Sequence, residues 1–354
     1  ININPNYEDA YFFRGFLKAE LNDLNGAIED YSKLLKLYPD DDSAYFNRGQ
    51  AKRRLKDYAG AISDYNSAIN INPTYEDAYF FKAYTKFLIE DNKGAIEDFS
   101  EVIKLNPKSE DAFFYRSLSK SELDNMTGAI EDLTKLLTLN NKDHQAYERR
   151  AYFYYKIGEF ISAIKDLDKA IKIKPNVYAF NSRGFYKTKI NDLKGALIDH
   201  SRAIEIDPYH AFSFNSRAII KGQLGDIEGA VSDYKRVFDV GDDQEILSTI
   251  NNLTGTYLSN GIYQEILPLI KKGKSISKKI INKNDDYLDL FYKEALYYGS
   301  IGDNDKAKKS LNKCLFESKR FNLIDSFNTI ECKKYLANIL IYDSKDFKEA
   351  KKLF

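Results

Sequence analysis

The sequence predicts an all-α protein built as an array of antiparallel helix pairs. Three observations predict it: a fixed period, an apolar stripe at helical spacing, and turn-forming residues at the same offset in every period. An alanine followed by Ile, Leu or Val, then one residue, then Asp, recurs at Ala27, Ala61, Ala95, Ala129, Ala163, Ala196 and Ala230. The step is 34 residues throughout, with one step of 33 between Ala163 and Ala196. A period in this range is the mark of stacked supersecondary units.

Within each period the first helix comes from a small residue twelve positions before the alanine, at Gly15, Gly49, Ala83, Ser117, Ala151, Gly184 and Ala218. Four positions earlier stands an aromatic: Tyr11, Tyr45, Tyr79, Phe113, Tyr147, Phe180 or Phe214. This spacing continues to an apolar residue at the helix end, Leu21, Leu55, Ile89, Leu123, Ile157, Ile190 or Leu224, and the sequence reading puts all three on one buried stripe. The turn that follows offers Asp23, Asp57, Asp91, Asn125, Asp192 or Asp226 as the cap of a second helix, with Glu159 the weaker exception. That second helix turns Ala95, Ile96, Phe99, Val102 and Ile103 inward in the third unit. Pro39, Pro73, Pro107, Pro175 or Pro208 ends it, since proline cannot continue the hydrogen-bond ladder; Asn141 and Asp242 stand where the proline is missing.

Tyr45, Gly49, Ala61, Tyr65 and Pro73, and their counterparts in six other units, resemble the tetratricopeptide repeat. The units read as 8–41, 42–75, 76–109, 110–143, 144–176, 177–210 and 211–244, with 1–7 the end of a preceding repeat and 245–354 divergent helical repeats that cap or extend the array. Ile1-Asn2-Ile3-Asn4-Pro5 nearly repeats Ile69-Asn70-Ile71-Asn72-Pro73, so the chain reads as a fragment opening inside an earlier unit. The resemblance implies a right-handed superhelical solenoid whose first helices line a concave groove. It also implies a scaffold or adaptor that binds a protein or peptide in that groove.

Two departures from the family pattern stand out. The residue before each small residue is basic: Arg14, Arg48, Lys82, Arg116, Arg150, Arg183 and Arg217. Each is matched by Asp30, Asp64, Asp98, Asp132, Asp166, Asp199 or Asp233. A second basic residue follows four positions on at Lys18, Lys52, Lys86, Lys120, Lys187 and Lys221. Because every charge has an opposite partner, the pattern reads as a structural ion-pair ladder, within a repeat or to the next, rather than an anion-binding row.

The groove positions follow the core aromatic by one and about five residues. They give partner-binding candidates Phe12, Phe16, Phe46, Asn47, Phe80, Tyr84, Phe114, Tyr152, Asn181, Phe185 and Asn215. Accessible aromatics bury a large area at little entropic cost, and the two asparagines of the later units suit a bound backbone. The other reading of each ring is packing against the neighbouring repeat. A clamp for C-terminal carboxylates, as found in part of the family, would need Lys, Asn and Arg where this chain has Phe12, Phe16, Asn47, Asp77 and Phe81; only Asn47 fits.

The tail repeats are marked by Leu253, Tyr257, Gly261 and Ile266, then by Phe291, Ala295, Gly302, Ala307 and Cys314, and a last one begins near Asp325. The 53 basic and 53 acidic residues cancel, which removes any global field for nucleic acid or an anionic membrane. The balance shifts along the chain: residues 1–143 hold 18 basic and 25 acidic side chains, residues 245–354 hold 19 and 14. The most basic spot, Lys271-Lys272-Gly273-Lys274 with Lys278-Lys279, reads as a solvated helix face. No apolar run reaches the length of a membrane span, so no insertion is expected.

Two cysteines and three histidines make no metal site, and no phosphate loop, HExxH, CxxC or GxSxG motif occurs. The expectations are therefore no catalytic residue, no metal, no cofactor and no nucleic-acid partner, with self-association through the terminal repeats left open. No compartment is legible beyond a lean toward the cytoplasm. The alternative reading is a regulatory or targeting segment of a larger enzyme or signalling protein, or a peptide-sensing regulator.

Overall fold

The computed structural model describes residues 8–342 and 347–353, and the secondary structure of these residues is helix and turn alone. The segment 1–7, read above as the end of a preceding repeat, lies outside the described residues. Two compact units divide the chain, residues 1–175 and 176–354.

The first unit holds five helix pairs: α1 (Glu8–Glu20) with α2 (Leu24–Leu37), α3 (Asp42–Arg54) with α4 (Tyr58–Ile71), α5 (Glu76–Leu88) with α6 (Asn92–Leu105), α7 (Glu110–Glu122) with α8 (Met126–Leu139), and α9 (His144–Lys156) with α10 (Phe160–Ile173). The second unit begins with α11 (Val177–Lys189) and α12 (Leu193–Ile206), then α13 (Ala211–Gln223) and α14 (Ile227–Val240). It continues with longer or less regular members: α15 (Asp243–Ser259), α16 (Ile266–Ser277), α17 (Asp285–Ser300), α18 (Asn304–Arg320), α19 (Phe327–Tyr342) and α20 (Phe347–Lys351).

The turn inside each regular pair is built from two local devices. The residue after the first helix's end sits in the left-handed region, as Asn22, Lys56, Glu90, Asp124 and Asn191, or as Gly158 and Gly225. This reverses the chain and satisfies the helix's last carbonyls. The next residue, the Asp or Asn cap, accepts from a glycine amide: Asp23 from Gly26 and Asp57 from Gly60, each at 3.0 Å. The glycine lets the carboxylate sit close: a Cβ at Gly26 would lie 2.2 Å from it, and the Asp23 side chain would have to shift. Where Glu159 replaces the cap it makes no such bond, and Ser162 replaces the glycine.

The core lies where first and second helices cross. The seven repeated alanines are fully buried, and beside them Tyr31, Tyr65, Phe99, Leu133, Leu167, His200 and Tyr234 are buried too. The small residue opposite makes room: a Cβ at Gly49 would meet the Tyr65 ring at 2.7 Å. The apolar residues at the first helices' ends are a correction to the sequence reading. Leu21 is 82% exposed, and Leu55, Ile89, Leu123, Ile157, Ile190 and Leu224 are 40–46% exposed. Six residues at 100° each carry these side chains about 120° away from the small residue's direction, off the buried stripe.

Candidate functional site

The basic and acidic rows meet within each repeat, sixteen residues apart. Arg48 donates through Nε and a terminal nitrogen to the two oxygens of Asp64, at 2.9 and 2.7 Å, and Arg116 does the same to Asp132, at 2.9 and 2.6 Å. Arg14–Asp30, Arg150–Asp166, Arg183–Asp199 and Arg217–Asp233 share this forked arrangement, and Lys82 contacts Asp98 at 2.9 Å. The second lysine closes on the same carboxylate, as Lys52 does on Asp64 and Lys120 on Asp132, at 2.7 and 2.8 Å. In the fifth repeat Tyr154 takes that lysine's place and lies under the Arg150 guanidinium.

The aspartates are buried, so each carboxylate depends on its cations. Burial works to raise Asp30, and the hydrogen bonds and charges of Arg14 and Lys18 outweigh it, holding its carboxyl below the usual range. The arginines also reach the preceding repeat. Arg48, Arg116 and Arg150 donate to Ser32, Ser100 and Thr134, and in the second unit Arg217 donates to Ser201.

On the first helices of the first unit, the candidate rings are shared between solvent and core. Phe12, Phe46, Phe80, Phe114, Tyr84 and Tyr152 are half-buried, and Phe16 is 44% exposed. Phe46 packs on Tyr65, Tyr75 and Phe81. Phe80 and Tyr84 join Phe87, Phe99 and Tyr115 in one cluster that α5, α6 and α7 share, with Tyr84 edge-on to Tyr115 at 5.0 Å. Arg53 of α3 stands over Phe81 and Tyr84, and its guanidinium is held by Gln50 at 3.0 and 3.2 Å. Asn47 donates to the Ser43 carbonyl within its own helix.

Sequence reasoning missed Arg53 and Tyr115. The signal for Arg53 was there: its position twelve residues into the helix pair's core pattern is charged here and neutral in the other six repeats.

In the second unit Asn181 is not available to a ligand, which corrects its sequence assignment. It is 6% exposed, and its carbonyl oxygen accepts from His200 Nδ1 at 2.9 Å and from Ser213 at 2.8 Å. Its amide nitrogen lies 3.1 Å from His210. Histidine at 200, where the other units carry tyrosine, phenylalanine or leucine, brings a polar atom into the core, and Asn181 is what satisfies it. Burial pushes His200 down to about 4, so the imidazole is neutral. Phe185 lies under Lys189, and Asn215 accepts from Asn252 at 3.2 Å.

The basic run also has partners: Lys272 stands 3.8 Å over the Phe238 ring and Lys274 meets Glu294 at 2.7 Å. Among the described residues no group of three His, Cys, Asp or Glu side chains is arranged to hold a metal, and no helix is long and apolar enough to cross a membrane.

Family models described as tetratricopeptide repeat match residues 43–75, 76–109, 144–177 and 288–315, and one described as TPR repeat matches 17–56. No curated protein matches the chain. Among solved structures, the C-terminal part of a TPR repeat-containing protein from Cytophaga hutchinsonii is similar over 66% of this chain and 98% of its own, with 16% identity and a TM-score of 0.59, a likeness of fold. MamA is similar over 46% of this chain and 96% of its own, at 26% identity and a TM-score of 0.44. YrrB, described as a TPR protein with an unusual peptide-binding site, is similar over 53% and 97%, at 19% identity and a TM-score of 0.48. The repeats support a protein-interaction scaffold as the class of function. With the helix pairs and the matched repeats together, the chain belongs to the tetratricopeptide repeat proteins.

Proposed function

We propose that the chain is a non-catalytic adaptor that holds a linear peptide of a protein partner against the first helices of its first unit. The observation that carries this reading is the cluster of Phe80, Tyr84 and Tyr115 beside Arg53 and Gln50. It combines half-exposed rings, able to take an apolar anchor side chain, with a cation and an amide at its edge. Such mixed aromatic and arginine surfaces supply most of the binding energy in protein interfaces. The ladder favours this reading indirectly: its cations are spent on buried aspartates, which leaves the rings and Arg53 as the distinctive chemistry of these helices.

The test is selection of linear peptides from a displayed random library, followed by hydrogen-exchange mapping of the complex. Protection on α3, α5 and α7 is expected, with affinity reduced at least about tenfold, or about 1.4 kcal/mol, by Tyr84→Ala. Protection confined to second helices, or an unchanged affinity in the variant, would sink the reading. A catalytic function would instead require a reactive group open to substrate; His200 and Ser213 do meet through Asn181, but both are shut in the core.

A further inference from the structure

The second unit contains a cleft of about 1170 Å³ between α16 and α18, floored by α17. Its origin lies in the ladder. In α17 and α18 the ladder's basic position is Glu294 and its acidic position, sixteen residues on, is Ser310. The polarity is inverted: Ser310 donates to Glu294 at 2.9 Å, and the compensating cation, Lys274, comes from the preceding second helix. In the regular repeats that preceding helix contributes only a hydroxyl.

No ladder aspartate stands in this cleft, and its lining holds seven cations. Lys274 and Lys278 form one wall; Lys306, Lys309, Lys313 and Arg320 form the other. Lys283 closes one end, held by the carbonyls of Ser277 and Ile280. Seven cations therefore meet one lining carboxylate, Glu294, which Lys274 and Ser310 already occupy. Asp303 and Glu317 partner Lys306, Lys313 and Arg320 from outside the lining, so seven positive charges against three negative leave an excess of four. Lys278 and Lys309 are exposed and have no carboxylate partner among the described residues. A concave site of one sign concentrates the opposite charge.

We infer that this cleft binds an extended acidic peptide segment carrying carboxylates at alternate residues. Neighbouring cations on a helix wall, Lys309 with Lys313 and Lys274 with Lys278, are four residues apart, about 6 Å. Alternate side chains of an extended chain are about 6.7 Å apart on one side, so the two spacings match over several residues. The rings argue against stacked nucleic-acid bases. Phe291, Tyr298, Phe316 and Phe321 each already have a cation against the face, from Lys274, Lys306, Lys313 and Arg320. A lipid surface would need the charges on a projecting face rather than in a cleft. The site lies in the second unit and does not rest on the first-helix reading above.

The experiment is fluorescence anisotropy with the full chain and a labelled peptide alternating glutamate and alanine over seven residues, beside its isomer with the four glutamates in one block. Saturable binding of the alternating peptide is expected, at least about tenfold tighter than the block isomer. Lys278→Glu with Lys309→Glu should weaken it at least about tenfold, while Lys33→Glu with Lys36→Glu, an equal charge change on exposed lysines of α2, and Tyr84→Ala should leave it unchanged. Circular dichroism checks the folding of each variant, and the milder Lys278→Ala with Lys309→Ala should still lose affinity. Equal binding of the two isomers, or equal loss in the α2 control, would show diffuse electrostatics and overturn the site. Tighter binding of oligothymidylate or phosphatidylserine vesicles, lost in the same cleft variant, would overturn the peptide as occupant.

Discussion

At the residue scale the most exacting feature is the buried aspartate between two cations. Asp98 is 7% exposed, with Lys82 at 2.9 Å and Lys86 at 2.7 Å. Asp98→Asn leaves two poorly hydrated ammonium groups sharing one neutral side chain, and should cost about 1–3 kcal/mol in denaturant unfolding with the helical spectrum retained. The exposed pair Lys104–Glu101 is the contrast, and Lys104→Ala should change stability by less than about 0.5 kcal/mol.

Protons act on two residues of the second unit in opposite directions. His200, pushed down to about 4 by burial, is neutral in the fold, so the unfolded chain takes up its proton first as pH falls. Its contribution is whole above the ordinary value of 6.5 and is lost as pH falls toward 4. Asp289 is pushed up to about 6 by burial, so its contribution is whole below 3.8 and is lost as pH rises through 6. Removing each by His200→Tyr and Asp289→Asn should tilt the plot of stability against pH between 4 and 6 in opposite senses, downward and upward at the higher end. Tyrosine fits at 200 because a glycine, Gly184, faces it, as Gly15 and Gly49 face Tyr31 and Tyr65.

At the scale of the element, the helix pair is most constrained at its turn. Five turns place a non-glycine residue in the left-handed region, where an L side chain costs about 1–2 kcal/mol. Glycine holds the equivalent place at Gly158 and Gly225. Glu90→Gly should therefore raise stability by about 0.5–1 kcal/mol once glycine's greater unfolded freedom is deducted. Gly49→Ala should do the reverse by about 1–3 kcal/mol, because its Cβ would press on the buried Tyr65 ring at 2.7 Å.

Much of this element was legible in the sequence, since the alanine, aromatic and small residue report directly on who faces whom across a crossing. The helix-end Leu and Ile misled because six residues is not a whole number of turns. Asn181 misled for a different reason: its position on the helix pointed outward by pattern, but a single histidine in the facing core drew it inward. Arg53 and Tyr115 went unseen because their contacts join helices of different repeats, which periodicity within one repeat does not address.

At the scale of the whole chain, stability in stacked repeats is the sum of local terms and nearest-neighbour terms. Arginine-to-hydroxyl links supply neighbour terms at Arg48, Arg116, Arg150 and Arg217, whereas in α15 to α18 the ladder's forked arginine–aspartate pair is replaced by Glu294 with Ser310 and Lys274. Hydrogen exchange in native buffer should accordingly show amides of α15–α20 opening before those of α3–α8.

The arginine links have a further consequence for how such a chain can change its length. A hydroxyl in one repeat precedes the arginine it serves in the next: Ser32 before Arg48, Ser100 before Arg116, Thr134 before Arg150. The third repeat has Lys82 instead of arginine, and the residue before it in this scheme is Asn66 rather than a hydroxyl. The periods therefore agree with their neighbours like words in a sentence. Excising residues 76–109 would keep every helix in register yet set Asn66 before Arg116, so duplication and loss of whole units are not neutral events even in an array this regular.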